Sequence, residues 1–157
     1  MRRTILTVIA AMAMILSLAA EPASKPSTQA DDPWHGALAV EAKVTNRISV
    51  PGGFVNLDLR VVNKSDKDQT FKAMSCSWFE HWKCDSEVLK VQQWACDENG
   101  EEEIKLAPGQ AWEKKLKLDV DKDAGAVKVK FKMGFTPKGS DAKLWSDELG
   151  VTLVLPQ

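Results

Sequence analysis

Apolar and polar residues alternate along three stretches of this chain, residues 38–44, 55–61 and 127–135. An alternation with a period of two is typical of a β-strand with one face in a core and the other in water. No window shows a convincing apolar stripe of helical period over about ten residues or more. The pattern therefore predicts an all-β protein, in which residues 127–135 form one continuous strand.

Turn residues separate these strands from weaker candidates. The Asn99-Gly100 pair is a hairpin signal, and Pro108-Gly109 fits the central positions of a type II turn. Weaker strand patterns occupy residues 70–76, 88–94, 103–106, 111–120 and 149–155. About seven to nine short strands at this spacing predict a single antiparallel β-sandwich, with a closed barrel as the alternative.

Three sequence pieces follow one another in a familiar order. They are Val55-Asn-Leu-Asp-Leu-Arg-Val-Val-Asn63, Leu106-Ala-Pro-Gly-Gln110 before a strand, and Leu144-Trp-Ser-Asp147 before the last strand. Over residues 37–155 this order resembles the immunoglobulin-like and fibronectin-type domains of exported bacterial proteins. It is also similar to the bacterial proteinase-inhibitor-like domain, a resemblance that implies inhibition of a secreted hydrolase as one function.

The N-terminal residues predict export. Arg2 and Arg3 precede an apolar run over residues 5–18, and small residues follow it at Ala19 and Ala20. This is the pattern of a cleavable signal peptide over residues 1–20, and the run is shorter than the roughly 20 residues of a membrane span. An uncleaved anchor is the alternative. We expect a secreted or periplasmic protein that does not insert into the membrane once the signal is removed.

The next segment, residues 21–33, is rich in Pro, Ser and Ala and predicts a disordered tether. The β-sandwich domain is then expected over residues 34–157. The whole chain carries 21 basic and 22 acidic residues. Because this balance offers no basic footprint, we expect no nucleic-acid partner.

Residues 74–96 contain all three cysteines, three of the six tryptophans and one of the two histidines. The segment resembles a group of exported bacterial proteins with a Ser-Cys-Ser-Trp, His-Trp and Trp-x-Cys pattern, in which Cys76 and Cys96 match. That resemblance implies no activity. We expect a Cys76–Cys96 disulfide, with Cys84–Cys96 and Cys76–Cys84 as alternatives, because exported cysteines meet an oxidising compartment.

Metal binding and catalysis are alternative roles for the same residues. Cys76, His81 and Cys84 have a spacing that zinc accepts, but an oxidising compartment works against thiolate ligands. A copper electron-transfer site needs Cys, His and Met close together near the C-terminus, whereas Met133 lies far downstream of the cysteines here. A cysteine could pair with His81 as nucleophile and base, yet no partner motif or oxyanion loop is visible. We expect no catalytic residues, no metal and no cofactor.

The aromatic residues Trp78, Phe79 and Trp82 fall in a predicted loop, where exposed aromatics serve as binding anchors. With His81 they form the predicted binding surface, although they could equally fold back over the end of the sandwich. Trp112 and Trp145 lie in strand patterns and are expected in the core. The sequence thus predicts a non-catalytic interaction or accessory module with a protein partner. A hydrolase inhibitor is the alternative, and a copper carrier or an enzyme comes third.

Overall fold

The computed structural model describes Trp34 and residues 36–156. The predicted signal peptide, the predicted tether and His35 lie outside the described residues. The described part contains strands and one short 3₁₀ helix, η1 (Trp78–His81). The strands are β1 (Leu38–Val44), β2 (Ile48–Ser49), β3 (Phe54–Asn63), β4 (Gln69–Met74), β5 (Trp82–Cys84), β6 (Leu89–Val91), β7 (Glu101–Leu106), β8 (Ala111–Val120), β9 (Lys128–Phe131), β10 (Met133–Phe135), β11 (Leu144–Trp145) and β12 (Leu149–Leu153).

The largest sheet has the strand order β1-β3-β8-β6, and all its neighbouring strands are antiparallel. Its strand β3 alternates from Phe54 to Val61, with Val55, Leu57 and Leu59 buried. The residues between them face water, which is the arrangement that the sequence alternation predicts. This sheet therefore forms one layer over the core.

The other eight strands form three smaller ladders, β11-β10-β5, β2-β12-β9 and β4-β7. The pairing of β2 with β12 is parallel, whereas the other ladders are antiparallel. Apolar side chains from all four sheets meet in one cluster that includes Phe71, Leu118, Phe131 and Phe135. Burying each such side chain contributes about 1.5–3 kcal/mol, so this shared core holds the ladders together.

The all-β prediction is confirmed, but the structure has more strands than predicted. The run 127–135 forms two strands instead of one, because the chain changes sheets at Lys132. There the Lys132 N–H donates to Asp85 Oδ1 at 2.6 Å, and the Asp85 N–H donates to the Lys132 carbonyl at 3.2 Å. Beyond this point β10 pairs with β5 and no longer with β12. The short strands β2, β5 and β11 are also additional to the prediction.

The two turn predictions have different outcomes. At Pro108-Gly109 the turn is confirmed, because Gly109 has a φ of +76° and the Gln110 N–H donates to the Ala107 carbonyl at 2.9 Å. The hairpin at Asn99-Gly100 is wrong, because the flanking strands β6 and β7 pair with β8 and β4 respectively. Asn99 instead bonds to the start of η1, as described below.

A buried asparagine fixes the end of the central strand. Asn63 Nδ2 donates to the carbonyls of Lys67 (2.7 Å) and Leu106 (2.8 Å). Its Oδ1 accepts the N–H and the hydroxyl of Ser65, at 3.0 and 2.8 Å. One fully buried side chain thus ties β3 to the turn that follows it and to the end of β7.

Replacing Asn63 with Ala is expected to lower the free energy of unfolding by about 3 kcal/mol, since the Leu106 carbonyl would lose its buried donor. Asn63→Asp should cost at least as much, because it removes the donor and buries a charge. Asn56→Ala is the control, since only the backbone of Asn56 is bonded, and it should change stability by less than about 0.5 kcal/mol. Urea unfolding measures all three, and equal costs for Asn63 and Asn56 would contradict the role assigned to Asn63.

Candidate functional site

The predicted disulfide joins Cys76 to Cys96, with their Cα atoms 5.8 Å apart. Cys76 lies just beyond β4, and Cys96 lies in residues 92–100, a segment between β6 and β7 without regular structure. The expected pairing is confirmed, and Cys84 is the free cysteine. The bridge fastens this exposed segment to the start of η1.

Asn99 reinforces the same junction. Its Oδ1 accepts the N–H groups of Cys76 (3.3 Å) and Ser77 (3.1 Å), and its Nδ2 donates to Ser77 Oγ at 2.8 Å. The buried Ser77 hydroxyl donates in turn to Glu80 Oε2 at 3.0 Å. These bonds fix the first turn of η1 relative to residues 92–100.

The four predicted binding residues are brought together by η1 and β5, but they are not equally accessible. Phe79 and Trp82 are only 3% and 4% exposed. These two side chains therefore fold back over the core, which is the alternative prediction for this loop. Trp78 and His81 remain partly exposed, so a binding role for them stays a prediction.

Trp94, which the prediction did not include, is the exposed member of an aromatic cluster. It is 40% exposed and packs on Phe79 with ring centroids 4.0 Å apart. Trp78 meets Trp94 edge to face at 5.4 Å and meets Trp112 at 6.4 Å. The ammonium of Lys114 lies over the rings of Trp78 and Trp112. We call Trp78, Trp94, Trp112 and Lys114 the tryptophan surface.

His81 connects two sheets through both ring nitrogens. Its Nε2 accepts the Met74 N–H of β4 at 3.0 Å, and its Nδ1 lies 3.1 Å from the Thr136 carbonyl oxygen beyond β10. Because a carbonyl only accepts, Nδ1 must carry the proton and the ring is neutral. Burial lowers the pKa of His81. With both nitrogens engaged, His81 acts as a structural connector and has no free nitrogen to serve as a base.

Cys84 is not an activated nucleophile. It lies on β5 opposite Met133, and burial raises the pKa of its thiol to about 11. A thiol with this pKa is protonated at neutral pH and reacts slowly. Within Trp34 and residues 36–156, no three His, Cys, Asp or Glu side chains lie close enough to hold a metal ion. The same residues include no helix long and apolar enough to cross a bilayer.

The prediction that Trp145 lies in the core is wrong, and Trp112 is only partly buried. Trp145 is 42% exposed and lies over Gly134, its partner on β10. A Cβ atom at Gly134 would be 2.8–3.0 Å from the six-membered ring of Trp145. The absence of a side chain at Gly134 therefore lets this tryptophan rest on the outside of the sheet.

The geometry defines an all-β protein with one disulfide and a partly exposed aromatic cluster. No family model matches the chain, and no curated protein sequence is significantly similar to it. Two solved structures align with 76% and 74% of the chain: the sporulation control protein Spo0M of Bacillus subtilis (TM-score 0.43, 14% identity) and a FixG-related protein of Vibrio parahaemolyticus (TM-score 0.42, 13% identity). The alignment spans 50% of Spo0M and 96% of the FixG-related protein. Structural similarity at these TM-scores and identities supports no conclusion about function.

Replacing both Cys76 and Cys96 with Ser is expected to lower the free energy of unfolding by about 3 kcal/mol, the loop-entropy value for a bridge of this span. Cys84→Ala should have a much smaller effect, because it leaves the disulfide intact. Guanidinium unfolding with and without reductant measures the difference. A reductant should destabilise the wild type and Cys84→Ala but not the double variant, and an unaffected wild type would contradict the role of the bridge.

The lowered pKa of His81 predicts that the protein loses stability in mild acid. The pKa of His81 is lowered in the folded state, so between about pH 7 and pH 5 the unfolded chain binds more protons and stability falls as pH falls. Glu101, held by Lys72 and Lys138, has a pKa lowered to about 2 and contributes only in stronger acid. His81→Gln should therefore be less stable at neutral pH, with a flatter slope over this window. An unchanged slope in urea titrations would contradict the assignment.

Proposed function

We propose that this chain is a non-catalytic, exported β-sandwich that acts by binding another protein. The observation that carries the proposal is Trp94, a large side chain left 40% exposed on a base that the Cys76–Cys96 disulfide fixes. Exposed aromatic side chains that are held rigid bind partners with little loss of conformational entropy. The tryptophan surface therefore has the form of a preorganised contact site.

Export is supported by two independent features. The N-terminal residues have the charge and hydropathy of a signal peptide. The disulfide is typical of proteins in an oxidising compartment, since cytosolic thiols are kept reduced. We infer a secreted or periplasmic protein, and the order of strand and turn motifs supports an immunoglobulin-like relationship.

Within the part of the chain that the structure describes, the state of His81 and Cys84 supports a binding role over a catalytic one. Both nitrogens of His81 bond to the backbone, and the free thiol of Cys84 has a raised pKa. We do not extend the proposal to hydrolase inhibition. An inhibitory loop must enter an enzyme cleft, and Phe79 and Trp82 of the candidate loop are buried in this domain.

The experiment compares two tryptophans of nearly equal exposure. The mature wild type, Trp94→Ala and Trp145→Ala are used to capture partners from the extracytoplasmic fraction, and the captured protein is identified, purified and titrated. Trp94→Ala should weaken binding by about tenfold or more, as expected for an aromatic anchor. Trp145→Ala should change affinity by less than about twofold, since Trp145 lies on β11, outside the tryptophan surface.

Circular dichroism and unfolding of each variant exclude a general loss of structure as the cause. Equal affinity of Trp94→Ala and the wild type for the purified partner would overturn the assigned surface. A partner that binds only when Trp145 is intact would move the site to the sheet β11-β10-β5.

A further inference from the structure

Lys114 occupies a position where strand β8 otherwise presents apolar side chains to the interior. Along β8 the residues at even numbers face inward, and Leu116, Leu118 and Val120 are buried. Trp112 and Lys114 continue the same series toward the tryptophan surface. The odd-numbered neighbours Glu113 and Lys115 are exposed on the opposite face. A lysine at an inward position is unusual, because its charge must retain favourable contacts or water.

The ammonium of Lys114 is held by aromatic rings alone. Its Nζ lies 5.3 Å from the ring centroid of Trp78 and 5.0 Å from that of Trp112. These are cation–π distances. Of the ion pairs formed within Trp34 and residues 36–156, none includes Lys114. Glu113, next in sequence, pairs with Arg60 on the other face of the sheet.

From this geometry we propose that the tryptophan surface binds an acidic, aromatic peptide segment of its partner, with a carboxylate on Lys114 and an apolar side chain on Trp94. The inference rests on the proposed function and names the chemistry of the partner. An ammonium has three donors, and two ring faces leave at least one of them for an incoming carboxylate. The rings restrict the position of the lysine in advance, so an anion finds a cation that is already oriented.

Trp94 supplies the second part of the recognition. Its ring is supported from below by Phe79 and from the side by Trp78, so its exposed part is available for stacking. Aromatic pairs prefer offset or edge-to-face contacts at centroid separations of about 4.5–7 Å. A partner that carries an aromatic side chain next to an aspartate can reach Trp94 and Lys114 together, whereas a wholly apolar segment leaves the ammonium without an anion.

The first arm of the experiment uses two short probe peptides on the mature, disulfide-bonded protein. Acetyl-Gly-Phe-Asp-Gly-amide and acetyl-Gly-Phe-Asn-Gly-amide differ only in the carboxylate. Titration is followed by the indole N–H signals in two-dimensional NMR. The Asp peptide should bind about tenfold more tightly than the Asn peptide at low salt, and the difference should shrink as salt is added. Equal binding, or no binding of the Asp peptide at millimolar concentration, would overturn the inference.

The second arm assigns the discrimination to Lys114. Lys114→Met keeps an unbranched chain between the rings and removes the charge, so it should bind both peptides equally and weakly. Lys114→Arg should keep a preference for Asp. Lys115→Met is the matched control, because Lys115 is the next residue and faces the other side of the sheet. Lys115→Met should behave as the wild type, and a loss of discrimination in this control would overturn the assignment to Lys114.

The outcome for the natural partner separates this inference from the proposed function. If Trp94→Ala loses the partner and Lys114→Met binds it like the wild type, the surface stands and the acidic segment is wrong. If Trp94→Ala also binds like the wild type, the proposed function fails. A loss of about tenfold in both variants supports the two together.

Discussion

The Cys76–Cys96 disulfide is the constraint on which the candidate site depends. Residues 92–100 belong to no sheet, and their backbone hydrogen bonds to the rest of the protein lie at the two ends, where the Gln92 N–H donates to the Lys117 carbonyl and the Gly100 carbonyl accepts the Ser75 N–H. The bridge and the Asn99 side chain attach this segment to the start of η1. The consequence is that Trp94 lies on Phe79 and beside Trp78, although it is fifteen and sixteen positions away from them in sequence. Covalent closure thus brings Trp94 onto the Trp78-Phe79 pair, which is distant from it in sequence.

The large sheet shows a different use of charge on its outer face. Arg60 on β3 pairs with Glu41 on β1 and with Glu113 on β8, at 2.7 and 2.9 Å. One register step away, Asp58 lies between Lys43 and Lys115. Lys64, whose Nζ lies 2.7 Å from Glu41 Oε1, and Arg60 lower the pKa of Glu41. A shallow depression of about 580 Å³ lies over this face, and the charges on its outward side chains alternate in sign across the strands. Lys114 also borders the depression, but its ammonium lies over the rings of Trp78 and Trp112 and forms no ion pair with any residue that the structure describes.

The long strands could be predicted from sequence because burial on one face imposes a period of two over seven or more residues, as in β1, β3 and β8. The short strands could not. A two-residue strand such as β2 shows no period, and its existence depends on a partner, β12, that is about a hundred residues away in sequence. The break at Lys132 has the same cause, since it depends on Asp85 and leaves the alternation of Phe131, Met133 and Phe135 intact.

The cysteine pairing could be predicted because only three cysteines were available and the signal-peptide pattern predicts an oxidising compartment for them. Which aromatic side chains of the loop are buried and which are exposed could not be predicted. In four consecutive residues of η1, Phe79 is buried while Trp78 is not, and a single 3₁₀ turn is too short to show which face is apolar. Trp94 was placed in a weak strand pattern that the structure ends at Val91, so its exposure had no sequence signal.

Lys114 did have a sequence signal. Within residues 111–120 the even positions read Trp, Lys, Leu, Leu and Val, so a charge interrupts the series that the alternation assigns to the interior. A charged side chain at such a position costs stability unless a partner neutralises it. Here the rings of Trp78 and Trp112 supply part of the compensation, and Trp78 also contacts the exposed Trp94. A charge that is compensated only in part by its own domain is more useful to a ligand than one already paired, which is why Lys114 distinguishes this surface from the saturated face behind it.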